Sequence, residues 1–280
     1  MNKFGGNWTE QKIEMVVSYA KAYLVIMNKY PQFKTLYFDG FAGSGDIDTS
    51  STEMENLKGA SIRVLEIENP KTFDVYYFVE KDEANKTDLG NSIKEKFSNR
   101  KVHVVNEDCN NKLQSMASFL KMNKSYKVLA FIDPYGMAVN WKSIECLKEL
   151  GIDLWILVPT GLGVNRLLKR NGEISDSWLN KLELFLGINR DEIINHFYKR
   201  YSQHDLFSEQ PVDLRIKENN AISKIHSLYT QRLLTVFKYV SEAFVLRNSN
   251  NSIMYHFMMA TNNTAALKIA NDIVKPKFKL

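Results

Sequence analysis

Within the first 160 residues, five short runs of apolar, β-branched or aromatic residues alternate with five stretches of helical spacing. The runs are Thr35 to Phe41, Val75 to Glu80, Val102 to Asp108, Val128 to Asp133 and Asp153 to Pro159. Such compact runs suit strands buried on both faces. Helical spacing marks Lys12 to Lys29, Ala60 to Glu68, Asp82 to Phe97, Lys112 to Met122 and Trp141 to Leu150. Tyr30-Pro31 closes the first of these helices, because proline disfavours helix in the residue before it. Strand alternating with helix predicts a Rossmann-like α/β fold, a doubly wound and mostly parallel sheet.

After Pro159 the pattern changes. Helical segments are expected at Asn165 to Arg170, Asp176 to Leu186, Asp191 to Tyr201 and Lys217 to Tyr239, with no strand among them. Strand signals return at Ala243 to Arg247 and Ser252 to Thr261 around the turn Asn248-Ser249-Asn250-Asn251, which reads as a hairpin. Ala265 to Leu280 reads as a closing helix, and Asp46 to Lys58 as a long polar connection. Residues 1–160 and 240–280 are therefore expected to form one α/β core of seven strands, with residues 161–239 as a helical insertion or subdomain.

Composition narrows the function classes. The 280 residues carry 37 Lys+Arg and 32 Asp+Glu, a formal charge of +5, too small a bias to argue for a polyanion partner. Two clusters, Leu168-Lys169-Arg170 and Tyr198-Lys199-Arg200-Tyr201, would suit a phosphate backbone, although such clusters also form ordinary solvated helix faces. Two cysteines, Cys109 and Cys146, make neither a disulfide scaffold nor a cysteine-built zinc site, and fit a reducing, cytoplasmic setting. The first residues lack a secretory pattern, and no window reaches the ~20 apolar residues of a membrane helix. The five histidines are scattered. His196 and His204 could share a helix face, but no carboxylate completes a site, so no metal is expected.

The chemistry gathers where the strands end: Asp39, Glu80, Asp108, Asp133 and Thr160. In parallel sheets, ligands bind beyond the carboxyl ends of the strands. The same residues also serve as helix N-caps and turn formers. Asp39-Gly40-Phe41-Ala42-Gly43-Ser44-Gly45 is glycine-rich enough for a tight turn and close ligand approach. It is neither a P-loop nor the dinucleotide G-x-G-x-x-G. A carboxylate at Glu80, with Lys81 beside it, can accept both hydrogen bonds of a ribose diol. Asp108 is placed for an adenine amino group, with Cys109 lining that pocket.

Glycine loop, Glu80, Asp108 and Asp133-Pro134-Tyr135-Gly136, in that order, resemble class I S-adenosylmethionine-dependent methyltransferases, whose sheet also ends in an antiparallel strand. A closer resemblance is to the three-Cys-motif partner proteins (TcmP), a bacterial family named for proximity to a radical-chemistry protein with three cysteines. It is carried by Trp8-Thr9 with Lys12, Tyr37 to Gly45, Lys58-Gly59-Ala60-Ser61, Phe78 to Asp82 and Phe131 to Gly136. The family's small-residue-proline step appears here as Gly59-Ala60-Ser61, without the proline, which leaves the start of the first crossover helix open.

The resemblance implies S-adenosylmethionine as cofactor, held by Asp39, Gly40, Phe41, Gly43, Gly45, Glu80, Lys81, Asp108 and Cys109. Asp133-Pro134-Tyr135 is similar to the Asp/Asn-Pro-Pro-aromatic motif of amino-group methyltransferases. It implies Asp133 as hydrogen-bond acceptor and Tyr135 as a stacking ring for a nucleic-acid base or modified nucleotide. With one proline, and the aromatic one position early, a plain strand-end turn that merely shapes the cofactor pocket is the stronger reading, and Tyr135 reads equally as core packing. Two further readings stand beside methyl transfer. One is a catalytically silent binding module working with the three-Cys-motif partner in a mobile-element or defence context. The other is a nucleotide-dependent oxidoreductase. The oligomeric state is not legible.

Overall fold

The computed structural model describes residues 7–47, 57–203 and 212–275. Helix α1 (Asn7–Met27) leads into strand β1 (Lys34–Asp39). Then follow α2 (Ala60–Leu65), β2 (Val75–Glu80), α3 (Glu83–Lys96), β3 (Val102–Asn106), α4 (Cys109–Met122), β4 (Tyr126–Ile132), α5 (Trp141–Glu145) and β5 (Ile152–Val158). The sheet is completed by β6 (Tyr239–Val240), β7 (Phe244–Arg247) and β8 (Ile253–Thr261). The strands lie in the order β3-β2-β1-β4-β5-β8-β6, with β7 also paired to β8. β1 runs parallel to both neighbours, Phe38 opposite Tyr77 on one side and Ala130 on the other. β8 runs antiparallel to β5, with Phe257 opposite Leu157. This is a doubly wound, mostly parallel sheet with antiparallel C-terminal strands, as the sequence pattern predicts.

Side-chain alternation explains the three layers. Phe38, Ala130, Ile132, Leu154, Ile156 and Met258 point to one face, where α4 and α5 pack. Tyr37, Leu129, Phe131, Trp155 and Phe257 point to the other, covered by α1, α2, α3 and the last helix, α9 (Thr264–Val274). Strands apolar at every position are what two covered faces require.

β3 departs from that expectation. Its His103 and Asn106 are exposed, because it is an edge strand with only β2 as neighbour. Beside it, α4 leaves a cleft of about 360 Å³ over Phe38, Tyr77 and His103.

Residues between β5 and β6 form a π-helical turn (Thr160–Val164), a short helix (Asn165–Leu167), α6 (Asp176–Leu186), α7 (Arg190–Phe197) and α8 (Ala221–Leu234). Leu182, Phe185, Phe197 and Tyr229 join the core on the α4 and α5 face. The absence of strands expected here is corrected by the structure. Tyr198–Gln203 pairs antiparallel with Val212–Lys217, and Tyr239–Val240 is β6. The three-residue spacing of Tyr198 and Tyr201 imitates a helix, and the lysines and arginines between them hide the alternation. β6 and β7 are collinear and interrupted at Ser241, whose N–H donates to the Met259 carbonyl (2.8 Å) and whose Oγ accepts the Met259 N–H (2.9 Å).

Asp46–Ile47 pairs with Leu57–Lys58 across the polar connection. His204, the middle of that connection and the last five residues of the tail lie outside the described residues. Among the described residues, no helix is long and apolar enough to cross a membrane.

Candidate active site

The loop after β1 is shaped by what its backbone must avoid. The Gly40 N–H donates to the Phe131 carbonyl (3.0 Å), which extends the sheet ladder by one step. A Cβ there would lie 2.5 Å from Cys109 Sγ and 2.7 Å from Ile132 Cδ1, so any larger residue must displace these two side chains. Gly43 and Gly45 have φ of +64° and +90°, a conformation glycine adopts at little cost. The Gly59 N–H donates to the Gly45 carbonyl (2.7 Å), and α2 starts at the next residue, without the proline.

Asp39 is buried beneath this loop. One carboxyl oxygen accepts the Phe41 N–H (3.1 Å) and the other the Ser61 hydroxyl (3.0 Å). Burial raises its carboxyl to about 7; the Phe41 and Ser61 hydrogen bonds oppose that rise, Asp133 adds to it and Lys12 counters it. Asp39 thus organises the loop from below, with both oxygens already engaged.

Glu80, at the end of β2, ties two backbones together. Its oxygens accept the Gly43 N–H and the Asp82 N–H, each at 2.8 Å. A carboxylate oxygen can accept more than one hydrogen bond, so the capacity to bind a diol is retained. A Cβ built on Gly43 would meet nothing within 4 Å, so that side of the loop is open.

Asp108 caps α4, accepting the Asn110 N–H (2.9 Å) and side-chain amide (2.9 Å), and it faces the exposed Lys81 at 3.4 Å. Partial burial works against ionisation there, yet the Asn110 bonds and then Lys81 outweigh it and hold the carboxyl below its ordinary range. Asn110 reaches onward, donating to the Ala138 carbonyl (2.9 Å) and accepting the Asn140 N–H (2.8 Å). Cys109 is buried, and burial, then Asp108 and Asp39, push its thiol up. It is a neutral wall of the site.

Asp133, one residue beyond β4, is ion-paired with Lys12 from α1. The lysine side chain is 5% exposed and the aspartate 26%, so the pair is largely withdrawn from water. Pro134 is buried, whereas Tyr135 is 88% exposed, its ring standing clear of the protein. Tyr255 on β8 sits near enough to Asp133 that burial and this carboxylate both raise its phenol. Thr160, at the end of β5, shares a 2.8 Å hydrogen bond with His256 Nδ1. Burial, His226 and Arg247 lower His256 to about 3, so it is neutral, and His226 stacks on it at 4.3 Å.

The carboxyl edge of the sheet therefore gathers Asp39, the glycine loop, Glu80, Asp108, Cys109 and Asp133. Lys81 and Tyr135 lie on its exposed rim. Sequence reasoning assigned no role to Lys12, Ser61 or Asn110. Lys12 carries a signal, a lysine flanked by the buried Ile13, Met15 and Val16 of an apolar helix. Among the described residues, no cluster of three or more His, Cys, Asp or Glu could hold a metal ion.

No family model matches the chain, and no curated protein matches it. Solved structures similar to it include protein LPL1258 from Legionella pneumophila str. Philadelphia 1. That protein is 14% identical, with 93% of this chain and 99% of that one covered, and the TM-score is 0.44. Trm1 from Pyrococcus horikoshii, solved with S-adenosyl-L-methionine, is 9% identical, covering 97% and 71%, with a TM-score of 0.38. An S-adenosylmethionine-dependent methyltransferase from Clostridium acetobutylicum ATCC 824 is 7% identical, covering 88% and 92%, with a TM-score of 0.37.

Proposed function

We propose that the chain is an S-adenosylmethionine-dependent methyltransferase acting on an exocyclic amino group of a nucleic-acid base or modified nucleotide. The observation that carries this reading is the Glu80 clamp on the Gly43 N–H, which joins a carboxylate at the end of β2 to an open glycine loop. The residues fit the cofactor. Glu80 would take the ribose hydroxyls, Asp108 the adenine amino group, and the backbone around Gly43 the methionine end. The cofactor, when bound, supplies an activated methyl group. Asp133 would accept the hydrogens of the acceptor amine through the oxygen that Lys12 leaves, and Lys12 would hold that carboxylate in place. Tyr135, being exposed, is free to stack on a base. The resemblance to three-Cys-motif partner proteins supports a radical-chemistry protein as companion.

Titration calorimetry with S-adenosylmethionine tests the pocket. Submillimolar binding is expected, weakened at least about tenfold in Glu80→Gln and Asp108→Asn, which is the loss of one charged hydrogen bond. No binding by the wild type, or equal binding by the variants, refutes the assignment. Labelled methyl transfer to fractionated RNA, DNA and protein, compared between wild type and Asp133→Ala, then tests the acceptor. A second reading, a silent binding module, is favoured by one observation: Lys12 already engages the proposed acceptor carboxylate. Cofactor binding without transfer to any fraction, with or without the companion protein, selects it.

A further inference from the structure

The two basic clusters of the insertion are some thirty residues apart in sequence and adjacent in space. The Tyr198 hydroxyl donates to the Lys169 carbonyl (2.7 Å), and the Lys217 N–H donates to the Arg170 carbonyl (3.0 Å). Lys217 Nζ fastens the same segment through the carbonyls of Asn165 (3.1 Å) and Leu168 (2.7 Å). Gly172 lies so close to the ribbon that a Cβ on it would come within 2.9 Å of Arg215 Cβ. Lys169 and Arg170 are thereby laid against the antiparallel ribbon of Tyr198–Gln203 and Val212–Lys217.

Within that ribbon, Arg200 stands directly opposite Arg215. Facing like charges destabilise a strand pair. Both arginines are exposed, as are Lys169 and Arg170. Among the described residues none of the four is in an ion pair. Two carboxylates near it are engaged elsewhere: Glu218 with Lys224 at 2.6 Å, and Glu173 with the Asn171 amide at 2.7 Å. Four cations therefore meet at this ribbon, Lys169 over the Trp178 ring at 4.7 Å and none of the four in an ion pair among the described residues, at a cost that an external polyanion would relieve.

The patch also stands close to the carboxyl edge of the sheet. Thr160 ends β5, and a π-helical turn and a short helix lead directly from it to Lys169 and Arg170. Eight helical residues and about three extended ones span at most roughly 22 Å. That is the length of about six nucleotides at ~3.4 Å each.

We propose that Arg200, Arg215, Lys169 and Arg170 form a docking surface for the sugar–phosphate backbone of a nucleic acid whose base is presented at Asp133. The surface contacts phosphates and carries no sequence readout; it sets the register in which a strand crosses the cleft. This inference rests on the nucleic-acid reading of the methyl acceptor.

Fluorescence anisotropy tests it with labelled single-stranded RNA, single-stranded DNA and duplex DNA of about 20 nucleotides or base pairs, titrated over a range of KCl. Wild type and two double variants, Arg200→Ala/Arg215→Ala and Lys169→Ala/Arg170→Ala, are compared, each first shown to unfold cooperatively at or above the wild-type urea midpoint. Four phosphate contacts give a log–log salt slope of about −3 on single strands, falling to about −1.5 in either variant. Affinity at about 0.1 M salt should drop roughly 10- to 100-fold. The RNA and DNA arms identify which polymer is held. Nucleic-acid binding that both variants leave unchanged overturns the docking surface and leaves the methyl-transfer reading intact. A wild type that methylates protein and binds no polynucleotide overturns the nucleic-acid acceptor and this surface with it. Polyglutamate displacing RNA at lower concentration than unlabelled RNA overturns the proposal in favour of an acidic protein.

Discussion

Replacing Asp39 by asparagine should make the protein more stable at neutral and alkaline pH while changing little in acid. Burial raises the Asp39 carboxyl from 3.8 to about 7. Between about pH 4 and 7 the folded protein holds a proton that the unfolded chain has released. Raising the pH through that window therefore removes stability, by about 1.36 kcal/mol for each pH unit. The loss levels off above the folded value and totals on the order of 4 kcal/mol. Asparagine carries no charge at any pH, so this loss is absent. Its side chain suits the site: the amide oxygen can accept the Phe41 N–H, and the amide nitrogen can donate to Ser61 Oγ. The Ser61 hydroxyl would then donate to the Ala42 carbonyl, 3.3 Å away. Urea unfolding of wild type and Asp39→Asn in steps from pH 4.5 to 8.5 measures the difference directly, and carboxylates common to both proteins cancel. The variant should gain steadily up to about pH 7 and then hold a constant advantage. A difference that is flat across the range, or that grows toward acid, would refute the assignment of a buried and uncompensated carboxyl.

Three further outcomes follow from contacts described above. Gly40→Ala pushes a methyl group into Cys109 Sγ and Ile132 Cδ1, and should cost about 1–3 kcal/mol in urea unfolding, partly recovered by a second change, Cys109→Ala. Lys12→Met leaves Asp133 without its ion-pair partner and should cost about 3 kcal/mol; adding Asp133→Asn should restore part of it, giving a coupling energy well above zero in a double-mutant cycle. Tyr19→Phe deletes a 2.8 Å hydrogen bond to the half-buried Asp153 and should lower stability by about 1–2 kcal/mol without weakening S-adenosylmethionine binding.

The sheet was legible because each central strand is apolar on both faces, which leaves a continuous run in the sequence. The order of its chemical groups was legible because each lies at a strand end. Three things were not. β3 lies at an edge, and His103 and Asn106 carry no mark of that in an alternating chain. The ribbon of the insertion was hidden by tyrosines at helical spacing, and its pairing depends on Val212–Lys217, a partner with little apolar pattern of its own. The state of the site was hidden most deeply. Asp39 reads from sequence as a ligand-facing loop residue, and only packing shows it buried under the loop with both oxygens occupied. Lys12 reaches Asp133 across 121 residues of sequence, a distance over which no local signal operates.

That separation also bears on how the protein is made. α1 leaves the ribosome before the strands it covers, and its apolar side chains, among them Ile13, Val16, Val17, Ala20 and Leu24, are buried only against the finished sheet. At 5–20 residues per second, the 121 residues between Lys12 and Asp133 take on the order of 10 s to synthesise. During that time the nascent helix presents an apolar stripe with a lysine in it, without Asp133 to pair with it. α1 therefore stays exposed until the last strand of the sheet, β8, has been made, and a slow stretch of translation anywhere before Thr261 prolongs that exposure.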